Sequence, residues 1–322
     1  LKLLVAQGNP LEHQESVIPS FSMDTVCQTK TVFLVRHGEA VHNIAEKTAK
    51  SQAGAEAEAL GFAKGSEEYK ARCEAARKAV LKNELFRDAS LSENGKAQAH
   101  NGKLQFQTLV PALGLPEPTA ILVSPLQRTV QTAAIMFPPD SKQRVHIREE
   151  VRERRTGLAC DEPQPASNMA NRQSFAYMSW GNLVQKDMDP DASPSPEVDV
   201  REDAAQLRVR TGKLGHLLST FEDTSICIVT HKGYLRELER GPLKRPSAVE
   251  FDTCEVRVYD IDLNAKGDIV NASLREITSN NKSVEMEITK AECAPHEDNH
   301  TANTVGSIAA LKSSLVPVIK AM

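Results

Sequence analysis

The chain has 322 residues, of which 40% are hydrophobic and 25% are charged, a balance typical of a folded globular protein. Its net charge of -4 lacks the basic excess that nucleic-acid-binding proteins usually carry. No apolar stretch of the sequence approaches the length needed to cross a bilayer. We therefore expect neither nucleic acid nor a membrane among its partners.

The cysteines are irregularly spaced, and no two of them form a Cys-x-x-Cys pair. A chain of this length can bury enough apolar surface to fold without a disulfide framework. We therefore expect reduced thiols and a cytoplasmic protein.

Composition divides the chain into a folded domain and flanking segments. Residues 1–30 are polar and aperiodic, so they are expected to form an N-terminal extension, and residues 31–278 to form the domain. Two insertions are expected within it: a mostly helical one over about 44–87, and one rich in Pro, Asp and Ser over about 158–200. Residues 279–322 are expected to form a polar tail.

Strand signals occur at four places along the chain. Residues 31–35, 120–123 and 226–229 are apolar or β-branched throughout, which is typical of parallel strands buried on both faces. Residues 255–261 alternate between apolar and polar, which indicates a half-buried or edge strand.

Helical patterns lie between these strands. They run from Ser66 to about Leu85, from Ser92 past Val110, and from about Glu202 to Phe221. Because strands alternate with helices, the sequence predicts an α/β fold with a mainly parallel central sheet, helices on both faces, and helical insertions.

Cationic and imidazole side chains follow each of the three buried strands. Arg36 and His37 follow the first strand, Arg128 lies shortly after the second, and His231 follows the third. Since ligands of open α/β sheets bind beyond the carboxyl ends of the strands, we expect these side chains to share one crevice. Any one of them alone is more often structural, but their repetition favours an electropositive site for a phosphoryl group.

The segment before Arg128 indicates how that side chain is positioned. Ser124 is predicted to cap a helix, and Pro125 suits its first turn. Arg128 would then lie about one turn into the helix, near an N-terminus that attracts anions.

Five segments follow one another in an order that is specific as a set: residues 34–43 (Leu-Val-Arg-His-Gly-Glu-Ala-Val-His-Asn), 88–95, 124–133, Glu153 with Gly157, and 229–231. In this order the chain resembles the histidine phosphatase superfamily, also called the phosphoglycerate mutase-like family. The resemblance covers about residues 31–262 and implies a phosphoglycerate mutase-like fold.

The resemblance implies covalent catalysis through a phosphohistidine. His37 would attack phosphorus, Asn43 would donate a hydrogen bond to the phosphate, and Arg36, Arg128 and His231 would hold the phosphoryl oxygens. The substrate would be a small phosphorylated molecule or a phosphoprotein. Neither a cofactor nor a metal ion is expected, because fixed cations would take the metal's place.

The resemblance also implies that Glu153 protonates the departing oxygen and later activates water. From the residues alone the choice stays open, because Glu149 and Glu150 belong to the same charged run. The family pattern selects Glu153 through Gly157, which follows it by four residues.

Several positions depart from the family pattern. Lys232 follows the second imidazole, where the family often has Gly. Residues 86–88 and 154–156 lack the Gly-Trp and His-Tyr pairs of glycolytic mutases, and Cys160-Asp161 makes the layout similar to poorly characterised plant and fungal phosphoglycerate mutase-like proteins. The leading hypothesis is therefore a phosphomonoesterase, and the alternatives are a phosphoglycerate mutase or a non-catalytic phosphate-binding or scaffold protein.

A competing motif lies in the tail. Residues 296–300 read His-Glu-Asp-Asn-His and match the H-E-x-x-H pattern of zinc proteases. That chemistry needs an amphipathic helix and a third ligand, whereas Pro295 precedes a polar stretch with neither signal. We do not expect a zinc site here.

Overall fold

A computed structural model describes residues 25–188 and 201–275. Most of the predicted extension, the whole tail and the H-E-x-x-H motif lie outside these residues. The described chain contains one six-stranded sheet in the order β3-β2-β4-β1-β5-β6. The strands are β1 (Gln28–Arg36), β2 (Ala120–Val123), β3 (Arg144–Ile147), β4 (Ser225–Thr230), β5 (Val256–Leu263) and β6 (Ile269–Leu274).

Helices and short 3-10 turns connect the strands. The α-helices in the described chain are α1 (Val41–Ala59), α2 (Glu67–Lys82), α3 (Glu93–Ala112), α4 (Gln127–Met136), α5 (Ala166–Ala170), α6 (Asn182–Met188), α7 (Ala204–Gly212), α8 (Leu214–Ser219) and α9 (Lys232–Arg240). None of these helices is both long and apolar enough to span a membrane.

The predicted mainly parallel sheet is confirmed. β3, β2, β4 and β1 run parallel, and β5 and β6 add an antiparallel pair beside β1. The three runs predicted as buried strands lie in β1, β2 and β4, and these strands are adjacent in the sheet. The edge alternative for residues 255–261 is wrong, because β6 pairs with the outer side of β5.

Alternate residues of the central strands build two cores, one on each face of the sheet. Phe33 and Val35 of β1 face α3 and α4, where Phe106 and Val130 pack against them. The opposite face of β1 packs against apolar residues of α7, α8 and α9. Helices therefore cover both faces, as the sequence predicts.

Two predicted segments differ in detail from the structure. The region expected to be a helical insertion contains α1 and α2, but α1 begins at Val41, soon after β1. The helix predicted from Glu202 to Phe221 is divided at Lys213 into α7 and α8.

Candidate active site

The carboxyl ends of β1, β4 and β2 lie side by side. Val35 of β1 pairs with Val229 of β4, and Val229 in turn pairs with Val123 of β2. The three chain segments that follow these strands therefore begin side by side at the carboxyl end of the sheet. This is the arrangement that the predicted crevice requires.

His37 has its ring buried, with 4% of the residue exposed. Its Nδ1 lies 2.6 Å from the carbonyl oxygen of Gly38. Because a carbonyl can only accept, Nδ1 carries the hydrogen and Nε2 keeps its lone pair. Burial, followed by the positive charges of Arg128 and Arg36, lowers the pKa of His37 well below its usual value. The neutral imidazole therefore presents an unprotonated Nε2.

His231 provides a second buried imidazole beside the first. The ring centroids of His37 and His231 are 5.0 Å apart. Burial and then the charge of Arg128 lower the pKa of His231 well below its usual value. Its Nε2 lies 2.7 Å from the hydroxyl oxygen of Ser124, and its Nδ1 has no hydrogen-bond partner within the described residues.

The prediction that Ser124 caps the following helix is wrong. Helix α4 begins at Gln127, and its N-cap position is Leu126, which has no capping side chain. A carboxylate distant in sequence caps the helix instead: Asp88 Oδ1 accepts a hydrogen bond from Gln127 N at 2.6 Å. The other oxygen, Oδ2, accepts from Gln164 N at 3.0 Å. Asp88 thus joins the start of α4 to the loop around residue 164.

Arg128 is the second residue of α4 and is 2% exposed. Its Nη1 donates to the carbonyl oxygen of Cys160 at 2.7 Å, and its Nη2 donates to Asp161 Oδ1 at 3.0 Å. The other Asp161 oxygen accepts from the Thr156 hydroxyl at 2.7 Å. These contacts fix the guanidinium, and its Nε has no partner within the described part of the chain.

Arg36 approaches the site from the end of β1. It is half-buried, and its Nη1 donates to the carbonyl oxygen of Phe251 at 2.7 Å. Burial lowers its pKa, and the negative charge of Glu153 is the largest opposing effect. A guanidinium remains charged under working conditions. Its Nε also lacks a hydrogen-bond partner among the residues described.

Glu153 is held by two backbone N–H groups. Arg154 N donates to Oε1 at 2.8 Å, and Gly233 N donates to Oε2 at 3.1 Å. Burial and then the nearby negative charge of Asp161 raise the pKa of Glu153. Of the alternatives, Glu149 is paired with Arg152, and Glu150 is exposed.

Gly233 lies against the carboxylate of Glu153. A Cβ added to Gly233 would lie 2.3 Å from Glu153 Oε1, so a side chain at this position would displace the carboxylate. Helix α9 begins at Lys232, so Gly233 is its second residue.

Asn43 lies in the first turn of α1 and is partly exposed. Its Oδ1 accepts a hydrogen bond from Ala40 N at 3.0 Å, and its Nδ2 lies 3.0 Å from Nε2 of His42. His42 is buried and is close enough to His37 to act on its pKa.

Sequence reasoning missed several residues that shape the site. The sequence offers Asp161 only as part of a Cys-Asp pair, because its contact with Arg128 joins residues 33 positions apart and has no local signal. His42 lies within the first motif and could have been singled out as a third imidazole. Within the described ranges, no group of three or more His, Cys, Asp or Glu side chains could hold a metal ion.

A family model described as histidine phosphatase superfamily (branch 1) matches residues 85–270, which is more than half of the chain. The chain therefore belongs to the histidine phosphatase superfamily. The matched region contains Arg128, Glu153 and His231, and it begins after the segment that holds His37. No curated protein sequence matches the chain.

Several solved structures are similar to this chain at low sequence identity. Alpha-ribazole phosphatase from Shigella flexneri is 19% identical, with 77% of this chain and 96% of that chain covered and a TM-score of 0.42. Phosphoserine phosphatase from Entamoeba histolytica, solved with 3-phosphoglyceric acid, is 18% identical, with coverages of 77% and 98% and a TM-score of 0.40. Phosphoglycerate mutase from Bacillus anthracis is 15% identical, with coverages of 78% and 93% and a TM-score of 0.42. These identities are too low to transfer a substrate.

Proposed function

We propose that this protein is a phosphomonoesterase that hydrolyses its substrate through a phosphohistidine on His37. The observation that carries the proposal is the hydrogen bond between His37 Nδ1 and the Gly38 carbonyl oxygen, in a site where two guanidinium charges act on the ring. A neutral imidazole with a free Nε2 is the form of histidine that can attack phosphorus.

In the first step, the Nε2 lone pair of His37 forms a bond to phosphorus as the ester P–O bond breaks. Arg36 and Arg128 would offset the charge on the phosphoryl oxygens, and each has a buried Nε–H with no acceptor in the described chain. The Gly38 carbonyl oxygen stabilises the positive charge that the ring acquires. The departing oxygen takes a proton from Glu153, whose raised pKa favours the protonated form.

In the second step, the Glu153 carboxylate takes a proton from water as the water oxygen attacks phosphorus. The P–N bond breaks, inorganic phosphate forms, and His37 returns to its neutral state. Each protonation change is thereby reversed within one cycle, so no other proton donor is needed.

The segment around residues 156–164 lies against Arg128 and would therefore influence substrate choice. Cys160 and Asp161 contact Arg128, and Gln164 N donates to Asp88. We propose a small phosphorylated molecule or a phosphoprotein as the substrate, and a cytoplasmic location. We also propose that the order of its motifs is similar to that of plant and fungal phosphoglycerate mutase-like proteins.

The test is a phosphoester panel that includes small metabolites, phosphopeptides and 3-phosphoglycerate, with phosphate release and phosphoglycerate isomerisation measured in parallel. We expect phosphate release without isomerisation. Isomerisation in the absence of phosphate release would instead identify a mutase. Phosphate binding without any turnover would identify a binding or scaffold protein.

A further inference from the structure

The mechanism above does not use His42, the second residue of α1. The residue is 6% exposed. Its Nε2 lies 3.0 Å from Nδ2 of Asn43. Its Nδ1 is buried and has no hydrogen-bond partner within the described residues. A buried polar nitrogen without a partner is uncommon in folded proteins and calls for an explanation.

The contacts of Asn43 determine which nitrogen of His42 carries the hydrogen. Ala40 N donates to Oδ1 of Asn43 at 3.0 Å, which fixes the orientation of the amide. The Nδ2 group of Asn43 therefore faces His42 and donates to its Nε2. A neutral imidazole that accepts at Nε2 carries its hydrogen at Nδ1. The partnerless atom of His42 is thus a hydrogen-bond donor.

Electrostatics connects His42 to the candidate active site. Burial and then the charge of Arg128 lower its pKa well below the usual value, so the ring is neutral. The rings of His42 and His37 are also close enough to interact electrostatically. The donor therefore lies within the electrostatic field of the phosphoryl site, where an anionic oxygen is the acceptor that this field favours.

We propose that His42 is a substrate-binding residue whose Nδ1–H donates to an oxygen of the phosphoryl group, with Asn43 as the positioning residue that sets its tautomer. The family resemblance implies a direct hydrogen bond from Asn43 to the phosphate. In this protein the carbonyl oxygen of Asn43 accepts from Ala40 N, and one N–H of its amide donates to His42. The hydrogen bond to the phosphate would then come from Nδ1–H of His42. This inference rests on the proposed function.

Two substitutions of His42 separate the roles of its nitrogens. The amide nitrogen of His42→Asn can occupy about the position of Nδ1, whereas His42→Gln reaches the position of Nε2 and has no donor near Nδ1. We expect His42→Gln to raise both KM and the inhibition constant of inorganic phosphate about tenfold, the effect of losing roughly one hydrogen bond. His42→Asn should stay closer to wild type in both constants.

Equal constants for both variants and the wild-type enzyme would overturn the proposal. An equal loss in both variants would also overturn it, because it would indicate a structural role. A measurement on the unaltered protein covers the case in which a variant does not fold. In ¹⁵N NMR of histidine-labelled wild-type protein, His42 should be protonated at Nδ1, and that signal should shift when inorganic phosphate is added.

An Nε2-protonated ring, or an Nδ1 signal that phosphate leaves unchanged, would contradict the inference. If the wild-type protein neither turns over the panel nor binds phosphate, the proposed function fails and the role of His42 fails with it. If the wild-type enzyme is active and only the His42 measurements disagree, the proposed function stands without this residue.

Discussion

Burial shifts the pKa values of His37, the proposed nucleophile, and Glu153, the proposed proton donor, in opposite directions. It lowers the pKa of His37 and raises the pKa of Glu153, because a buried environment disfavours the charged form of each. The two arginines strengthen the effect on His37, and Asp161 strengthens the effect on Glu153. The neutral forms of both side chains are therefore favoured, as the proposed nucleophile and proton donor require.

The first prediction concerns proton donation by Glu153. In Glu153→Gln, the hydrolysis of alkyl phosphates should fall by about 10²–10⁴-fold, because a poor leaving group needs the proton. The hydrolysis of activated aryl phosphates should fall far less, because their leaving groups do not need the proton. The comparison of kcat for the two ester classes is the measurement, and Glu150→Gln, which changes an exposed carboxylate in the same run, is the control. Equal losses on both classes would move the acid role to another residue.

The second prediction concerns the pH dependence that Asp161 imposes. Glu153 must be protonated to act as the acid, and the charge of Asp161 raises its pKa. Asp161→Asn removes that charge and releases Arg128 from its ion pair, and both changes lower the pKa of Glu153. The basic limb of the kcat profile for an alkyl phosphate should therefore move to lower pH. A basic limb at the wild-type pH would show that Asp161 does not tune the acid.

Close backbone contacts hold helix α3 against the segment that follows β1. A Cβ on Gly95, in the first turn of α3, would lie 1.9 Å from the carbonyl oxygen of Glu39. A Cβ on Gly38 would lie 2.4 Å from the carbonyl oxygen of Gly95. The start of α3 therefore packs directly against the backbone that follows His37, and only glycine permits this approach.

The third prediction uses two glycines of the same helix. Gly95→Ala should lower the free energy of unfolding by about 1–3 kcal/mol, because the added carbon meets backbone that cannot move freely. Gly102→Ala should be neutral or stabilising by up to about 1 kcal/mol, since its Cβ would make an ordinary contact at 3.4 Å. Urea denaturation of both variants checks the pair. A Gly95→Ala variant as stable as Gly102→Ala would contradict the packing argument.

The position of a strand in the sheet decides whether the sequence predicts it. The strands β1, β2 and β4 are buried on both faces and give continuous apolar runs, so they were predicted. β3 and β6 were not: each lies at an edge of the sheet and mixes polar with apolar residues. The capping role of Ser124 was predicted wrongly, because its hydroxyl contacts His231 and a distant carboxylate caps α4.

The sequence predicts those residues of the candidate site that the sheet itself brings together. Arg36, His37 and His231 lie at strand ends, so a parallel sheet brings their segments together without further information. Asp88 and Asp161 reach the site across 39 and 33 positions of sequence, and neither contact has a local pattern. The grouping of these side chains at the carboxyl end of the sheet is therefore predictable from the sequence, whereas the contacts that orient them depend on the folded chain.

The phosphoenzyme provides the most direct test of the central claim. Wild-type protein would be mixed with a ³²P-labelled ester that the panel has identified, quenched in alkali, and mapped by peptide mass spectrometry. We predict an acid-labile, alkali-stable label on the peptide that contains His37, and no label in His37→Ala. A label on another residue, or an undiminished label in His37→Ala, would contradict the account.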